Sequence, residues 1–166
     1  MGKHVQLALL PSVRSEAPAT RYRLKTATVT LEVREPGLDE RCGSVGEAVA
    51  ILQAIYRQLD ADQEHFVVLC LNSRSRITGY KVAASGGQDQ TTVDSKIVFR
   101  FALLFGAAAI IVAHNHPSGN TQPSQHDLDL THLLVLAAET LALKLHDHII
   151  IEPAGSYYSM AQHQQV

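Results

Sequence analysis

Apolar and polar positions follow two different periods along the chain, and the changes of period mark its elements. Tyr22, Leu24, Val29, Leu31 and Val33, with Thr26, Thr28 and Thr30 between them, predict a strand over 22–33, since β-branched residues suit a pleated surface. Glu35-Pro36-Gly37 ends it. Residues 1 to about 20 carry Pro11 and Pro18 and sustain no period, so they read as a flexible arm or irregular lead-in. Ser44-Val45-Gly46-Glu47 then has the form of a capping box. Ala48, Ile51, Leu52, Ile55 and Leu59 recur behind it at helical spacing and predict a helix over about 45–60.

The run 65–71 is short and nearly all apolar, as in a buried strand. Asn72-Ser73-Arg74-Ser75 turns the chain into a return strand over 76–84, and 85–89 is a flexible loop. Ile97, Val98, Phe101, Leu104 and Phe105 share one face of a second helix that stops at Gly106. Residues 107–113 form a second continuous apolar run, the central strand, followed by a turn-rich loop over 114–123. A third helix is predicted from Gln125 to about Leu143, with Leu130, Leu133, Leu134, Ala137 and Leu141 as its core stripe. Val135 and Leu136 broaden its apolar surface, so it is either deeply buried or meets a second copy in a homo-oligomer. A strand over 148–152, a turn over 153–156 and a last strand over 157–160 complete the pattern. Alternating helices and strands give an α/β class with a mixed β-sheet sandwiched by helices.

Composition narrows the function classes. At 166 residues, 46% hydrophobic and 18% charged, with a net charge of −2, the chain suits one globular domain. A nucleic-acid-binding domain usually carries a clear positive excess, which is absent here. Only the N-terminal part is locally basic, with Lys3, Arg14, Arg21, Arg23, Lys25 and Arg34 against Glu16 and Glu32. Cys42 and Cys70 form no metal-type pair, and nothing in their placement implies an oxidising compartment. The apolar part of 5–10 is too short for a signal-peptide core, and no run is long enough to span a membrane. The expectation is a cytoplasmic protein.

The chemistry concentrates at 113–127. A strand entering at Ala113 would set His114 and His116 on one side, because strand period is two. Pro117 biases His116 toward an extended backbone. Ser124 stands where a helix should begin, with Asp127 in its first turn. Two imidazoles and a carboxylate suit zinc with one position left for water. Yet Ser-x-x-Asp is equally an ordinary capping box, and an Asp127 engaged in capping is expected to be unable to bind a metal. On residue types alone both readings stand. His146 and His148, spaced two apart around Asp147, are a second candidate chelate without an evident third ligand. His126 and His132 have no matched partner, and His4, His65 and His163 are isolated.

The run His114-x-His116-Pro117-Ser118-Gly119-x-x-x-Pro123-Ser124-x-x-Asp127 resembles the JAMM motif of MPN-domain metalloproteases. Its Pro-Ser-Gly and Pro-Ser elements resemble the bacterial RadC-like branch in particular. So do Glu64-His65-Phe66, the apolar run 107–113 and Asp147-His148-Ile149-Ile150. The resemblance covers about residues 42–162. It implies a JAB/MPN fold of cytidine-deaminase-like architecture, with a RadC-like JAMM domain over 42–166 behind an N-terminal arm over 1–41. It further implies a zinc ion held by His114, His116 and Asp127. Ser124 would orient the bound water and stabilise an oxyanion. Glu64, at the start of its strand, would be the general base; read without the resemblance, it is a solvated residue in Asp62-Gln63-Glu64.

The function so implied is a zinc-dependent hydrolase of metallopeptidase or isopeptidase type, acting on a peptide or protein substrate. The alternative is a DNA-repair-associated or mobile-element accessory protein whose JAMM domain is a binding module. The basic N-terminal arm is its sequence support. Longer members of the branch carry an N-terminal helix-hairpin-helix segment, for which residues 1–41 are too short and too strand-like, so DNA contact is disfavoured. A metal-dependent nuclease fits poorly, because His114-Asn115-His116 is contiguous rather than spread over a ββα unit. A zinc deaminase would need a Pro-Cys-x-x-Cys ligand pair, which the chain lacks.

Overall fold

The computed structural model describes residues 3–6, 28–31, 41–86, 93–152 and 155–166. The chain divides into two compact units, Met1–Pro36 and Gly37–Val166. In the first, β1 (Lys3–Gln6) pairs antiparallel with β2 (Thr28–Leu31), from Lys3 opposite Leu31 to Gln6 opposite Thr28. β1 lies inside the stretch read as an irregular lead-in. Four residues are too few to display a period, and the partner strand is distant in sequence. The remainder of the strand expected over 22–33, and residues 87–89 of the loop expected over 85–89, lie outside the described residues, while 85–86 are strand instead of loop.

The second unit is a mixed sheet between helices, the α/β arrangement of a JAB/MPN domain. Five strands lie in the order β4-β3-β5-β6-β7. β3 (Glu64–Leu71), β4 (Ile77–Gly86), β5 (Ala109–His114), β6 (Lys144–Ile151) and β7 (Tyr157–Ser159) pair antiparallel except for β5 with β6. That parallel pair needs a crossover, and α3 (Gln125–Thr140) supplies it. β6 starts at Lys144, earlier than its apolar run suggests. Its first three residues leave Lys144 and His146 exposed, and only 147–151 are fully buried.

Each sheet face has its own core. Val67, Leu69, Leu71, Ile111, Ala113, Ile149 and Ile151 meet α1 (Val45–Tyr56) through Ala48, Leu52 and Tyr56. Phe66, Val68, Cys70, Ile110 and Val112 meet α2 (Ser95–Leu104) through Val98, Phe99 and Ala102, and α3 through Leu134 and Ala138. Strand alternation divides these residues between the two faces. Ser44 caps α1, accepting from the Glu47 backbone N–H at 3.3 Å, and Gly106 (φ +60°) lets the chain leave α2. Tyr56, in the last turn of α1, reaches the sheet: its hydroxyl lies 3.0 Å from the His65 carbonyl and 2.9 Å from that of Ala113.

The buried stripe of α3 differs from the one expected. It runs through Asp127, Thr131, Leu134 and Ala138. Leu130 and Ala137 are half-buried against the same core, while Leu133 and Leu141 are 52% and 41% exposed. The helix is rotated because it must turn Asp127 and Thr131 toward the strand ends. Leu136, expected to be buried or covered, is 65% exposed in the single chain. Among the described residues no helix is long and apolar enough to cross a membrane.

Candidate metal centre

β5 is buried along its whole length and delivers His114 at its C-terminal end, beside the first turn of α3. His114 is 1% exposed; His116, two residues on in the loop, is half-buried. Their rings lie 4.8 Å apart at 59°, with the two Nε2 atoms at 3.0 Å. Asp127 Oδ1 is 3.2 Å from His114 Nε2, and Asp127 Oδ2 is 3.6 Å from His116 Nε2. One ligand atom from each residue fits within 4.8 Å of the others. A tetrahedral zinc with bonds of roughly 2.0–2.1 Å sets ligand atoms about 3.3 Å apart, and the separations from His114 Nε2 to His116 Nε2 and to Asp127 Oδ1 lie close to that value. His114, His116 and Asp127 therefore fit a metal ion.

The imidazole orientations have local causes. His116 Nδ1 lies 2.5 Å from the Asn120 carbonyl. A carbonyl only accepts, so Nδ1 carries the proton and Nε2 presents its lone pair. His114 stacks over Phe66, at 6.3 Å between centroids and 11° between planes. Its Nδ1 lies 2.8 Å from His148 Nε2.

Asp127 both caps its helix and faces the histidines, which corrects the expectation that capping would exclude metal binding. Oδ2 accepts from the Ser124 backbone N–H at 2.7 Å and from the Ser124 hydroxyl at 2.6 Å, while Oδ1 turns to His114. A carboxylate has two oxygens and about four lone-pair sites, enough for both. The Ser124 hydroxyl also accepts from the Asp127 backbone N–H at 3.2 Å, so it is held on that carboxylate. Burial opposes ionisation of Asp127, but the imidazoles of His114 and His116 beside it and the hydrogen bond from Ser124 outweigh it. The carboxyl is held well below the usual carboxylate range. His116 is shifted upward, chiefly by the Asp127 carboxylate beside its ring and against the effect of burial, with Glu64 adding a smaller charge effect.

Glu64 begins β3, which lies beside β5 with Phe66 opposite His114. One alternation before Phe66, Glu64 pleats to the face that carries the histidine, where it is half-buried. Asn115 brackets it. The Asn115 side-chain oxygen accepts from the His65 N–H at 2.8 Å, and its NH2 donates to the Gln63 carbonyl at 2.9 Å. The peptides on either side of Glu64 are thus tied to the residue between the two histidines. Sequence reasoning missed this role; its one signal was an amide side chain set between two candidate ligands.

The second candidate chelate does not form. The pairing of β6 with β5 shifts register between Ile110 and Ile111, which stand opposite Leu145 and Asp147. The bulge breaks the alternation that would have set His146 and His148 on one side. His146 is exposed and lines a cleft with Asp147, Cys42 and Ala161. Asp147 accepts from the Ser159 hydroxyl at 2.6 Å and from the Ala161 N–H at 2.9 Å. His148 lies fully buried against Phe66 and His114. Its burial, with His114 alongside, holds its pKa well below the ordinary value, so the ring is neutral. His65, also buried, bonds Ser85 Oγ at 2.7 Å and the Asp60 carbonyl at 2.9 Å, a structural role.

A family model for the RadC-like JAB domain matches residues 43–165. The chain belongs to the RadC-like JAB domain family. The matched span holds Glu64, His114, His116, Ser124, Asp127 and His148, and the β1–β2 unit precedes it. Among similar proteins, the UPF0758 protein YfjY of Escherichia coli K12 is 33% identical, over 88% of this chain and 90% of its own length. UPF0758 proteins of Porphyromonas gingivalis and Carboxydothermus hydrogenoformans are 40% and 45% identical, over 61% and 59% of this chain. The matched stretches cover only 45% and 43% of those two proteins.

Proposed function

We propose that the chain is a zinc-dependent hydrolase of peptide or isopeptide bonds. The observation that carries this is the convergence of His114, His116 and Asp127 at the end of β5, with Glu64 on the same face of the neighbouring strand. When bound, zinc would supply a Lewis acid that polarises a carbonyl and makes a water nucleophilic near neutral pH. Glu64 would take the proton from the attacking water and deliver it to the leaving amine. Ser124 holds the Asp127 carboxylate in place.

The test is zinc content together with cleavage of a peptide and isopeptide substrate panel. Wild-type protein should hold about one zinc per chain and show cleavage. Glu64→Gln should keep the zinc and lose cleavage by about two to four orders of magnitude. A metal-free preparation that takes up no zinc would remove this reading.

A further inference from the structure

His148 touches no candidate ligand atom of the metal, yet it is fully buried and stands directly behind His114. Its Nε2 lies 2.8 Å from His114 Nδ1, and its Nδ1 lies 2.6 Å from Thr131 Oγ1. Thr131 Oγ1 in turn lies 2.6 Å from the Asp127 carbonyl and 3.1 Å from Met160 Sδ. The chain of contacts therefore leaves one metal ligand, crosses two buried side chains, and ends on the backbone of another ligand.

The two ends of this chain fix every proton in it. Neither the Asp127 carbonyl nor the Met160 thioether can donate. The Thr131 hydroxyl must therefore give its single proton in that direction, and its oxygen is left to accept. His148 Nδ1 is then the donor to Thr131. A neutral imidazole carries one N–H, so His148 Nε2 accepts, and His114 Nδ1 must donate to it. His114 is left with an unprotonated Nε2. That atom faces Asp127 and His116 Nε2 at 3.2 and 3.0 Å.

We propose that His148 and Thr131 are positioning residues that lock His114 in its Nδ1–H tautomer and so reserve Nε2 for the metal. His116 gets the same result from the Asn120 carbonyl. His114 lies at the end of a fully buried strand and reaches an acceptor through His148 instead. Partners behind a metal-bound histidine commonly set its tautomer and tune affinity. The tautomer follows from the hydrogen bonds of this chain, and only its use in metal binding rests on the zinc reading.

Two measurements on the full-length chain separate these parts. The first is long-range proton–nitrogen correlation NMR of metal-free protein at mildly alkaline pH, with the His114 signals assigned by comparison with His114→Asn. Wild-type His114 should show a protonated Nδ1 and a bare Nε2. Thr131→Val keeps the shape of the side chain but removes the hydroxyl, and it should give mixed His114 tautomers; Thr131→Ser should restore the single form. The second is zinc affinity by competition with a chromophoric chelator. Affinity should fall on the order of tenfold in Thr131→Val and recover in Thr131→Ser. His148→Gln offers an acceptor toward His114 and a donor toward Thr131, so it should bind zinc more tightly than His148→Leu. A wild-type spectrum with the proton on His114 Nε2 overturns the proposal without any variant. So does a Thr131→Val protein with unchanged tautomer and unchanged affinity. Wild-type protein that binds no zinc removes the hydrolase reading, while the spectrum still decides the lock.

Discussion

Asn115 uses both faces of its amide on β3, one oxygen for the His65 N–H and one NH2 for the Gln63 carbonyl. Asn115→Ala leaves a buried N–H without its acceptor, a loss of about 1–3 kcal/mol that a lower urea midpoint would register. Turnover should fall as well, at unchanged zinc content, because the strand end carrying Glu64 is freed while the ligands stay in place. Asn115→Asp keeps the acceptor but not the donor, and should fall between the two. At this scale the sequence showed the candidate ligands better than their supports. Spacing brings His114, His116 and Asp127 together, since a strand period and a helical first turn are local facts, and the resemblance chose metal over cap. Asn115, Thr131 and His148 act on partners from other strands and helices, and single-chain periodicity carries no trace of those pairings. Asp127 was read as a choice between cap and ligand because residue type does not show that its two oxygens turn to different partners.

Among the elements, helices were located well and their faces less well. The periods of α1, α2 and α3 were plain in the sequence. Rotation about the axis was not, because α3 presents Asp127 and Thr131 to the sheet in place of the leucines that a purely apolar rule selects. β6 was shortened for a related reason, its exposed first residues and the bulge at His146 interrupting the apolar pattern. Contact between elements also explains a glycine in β4. A Cβ added at Gly79 would come within 2.7 Å of the Phe105 ring, at the C-cap of α2. Gly79→Ala should destabilise the protein by about 1–3 kcal/mol through overpacking, and Gly79→Ala/Phe105→Leu should recover part of the loss in denaturant titration. If Gly79→Ala is neutral, Phe105 is free to move, and the close fit of α2 on β4 is not a constraint.

The whole molecule keeps two thiols out of water. Burial pushes Cys42 up to about 11, with Glu47 adding to the effect, and pushes Cys70 up to about 12. Both are buried in the fold, whereas an unfolded chain ionises near the ordinary value of 9.0. Between these values the unfolded state binds fewer protons than the native one, so stability falls as pH rises. Below about 9 these groups contribute no slope. A denaturation midpoint should therefore drop from mildly to strongly alkaline pH, and Cys42→Ala/Cys70→Ala should show a shallower drop. Layer order was readable because each sheet face repeats the strand period, and so was β2 inside the alternation over 22–33, yet β1 was not, being short and paired with a strand distant in sequence. Placement of the site has a further consequence for assembly. Its three candidate ligands come from one short stretch of chain, while Glu64 and His148 arrive only with the strands on either side of β5. An unfolded chain can already chelate through neighbouring histidines, and any such capture weakens the stabilisation that a metal gives the native state. Zinc should thus raise the melting temperature by less than its native affinity would give for a ligand that ignores the unfolded chain. On the hydrolase reading, a nascent chain would hold the metal before the base, so that loading would precede competence and a half-folded molecule would carry zinc without cutting.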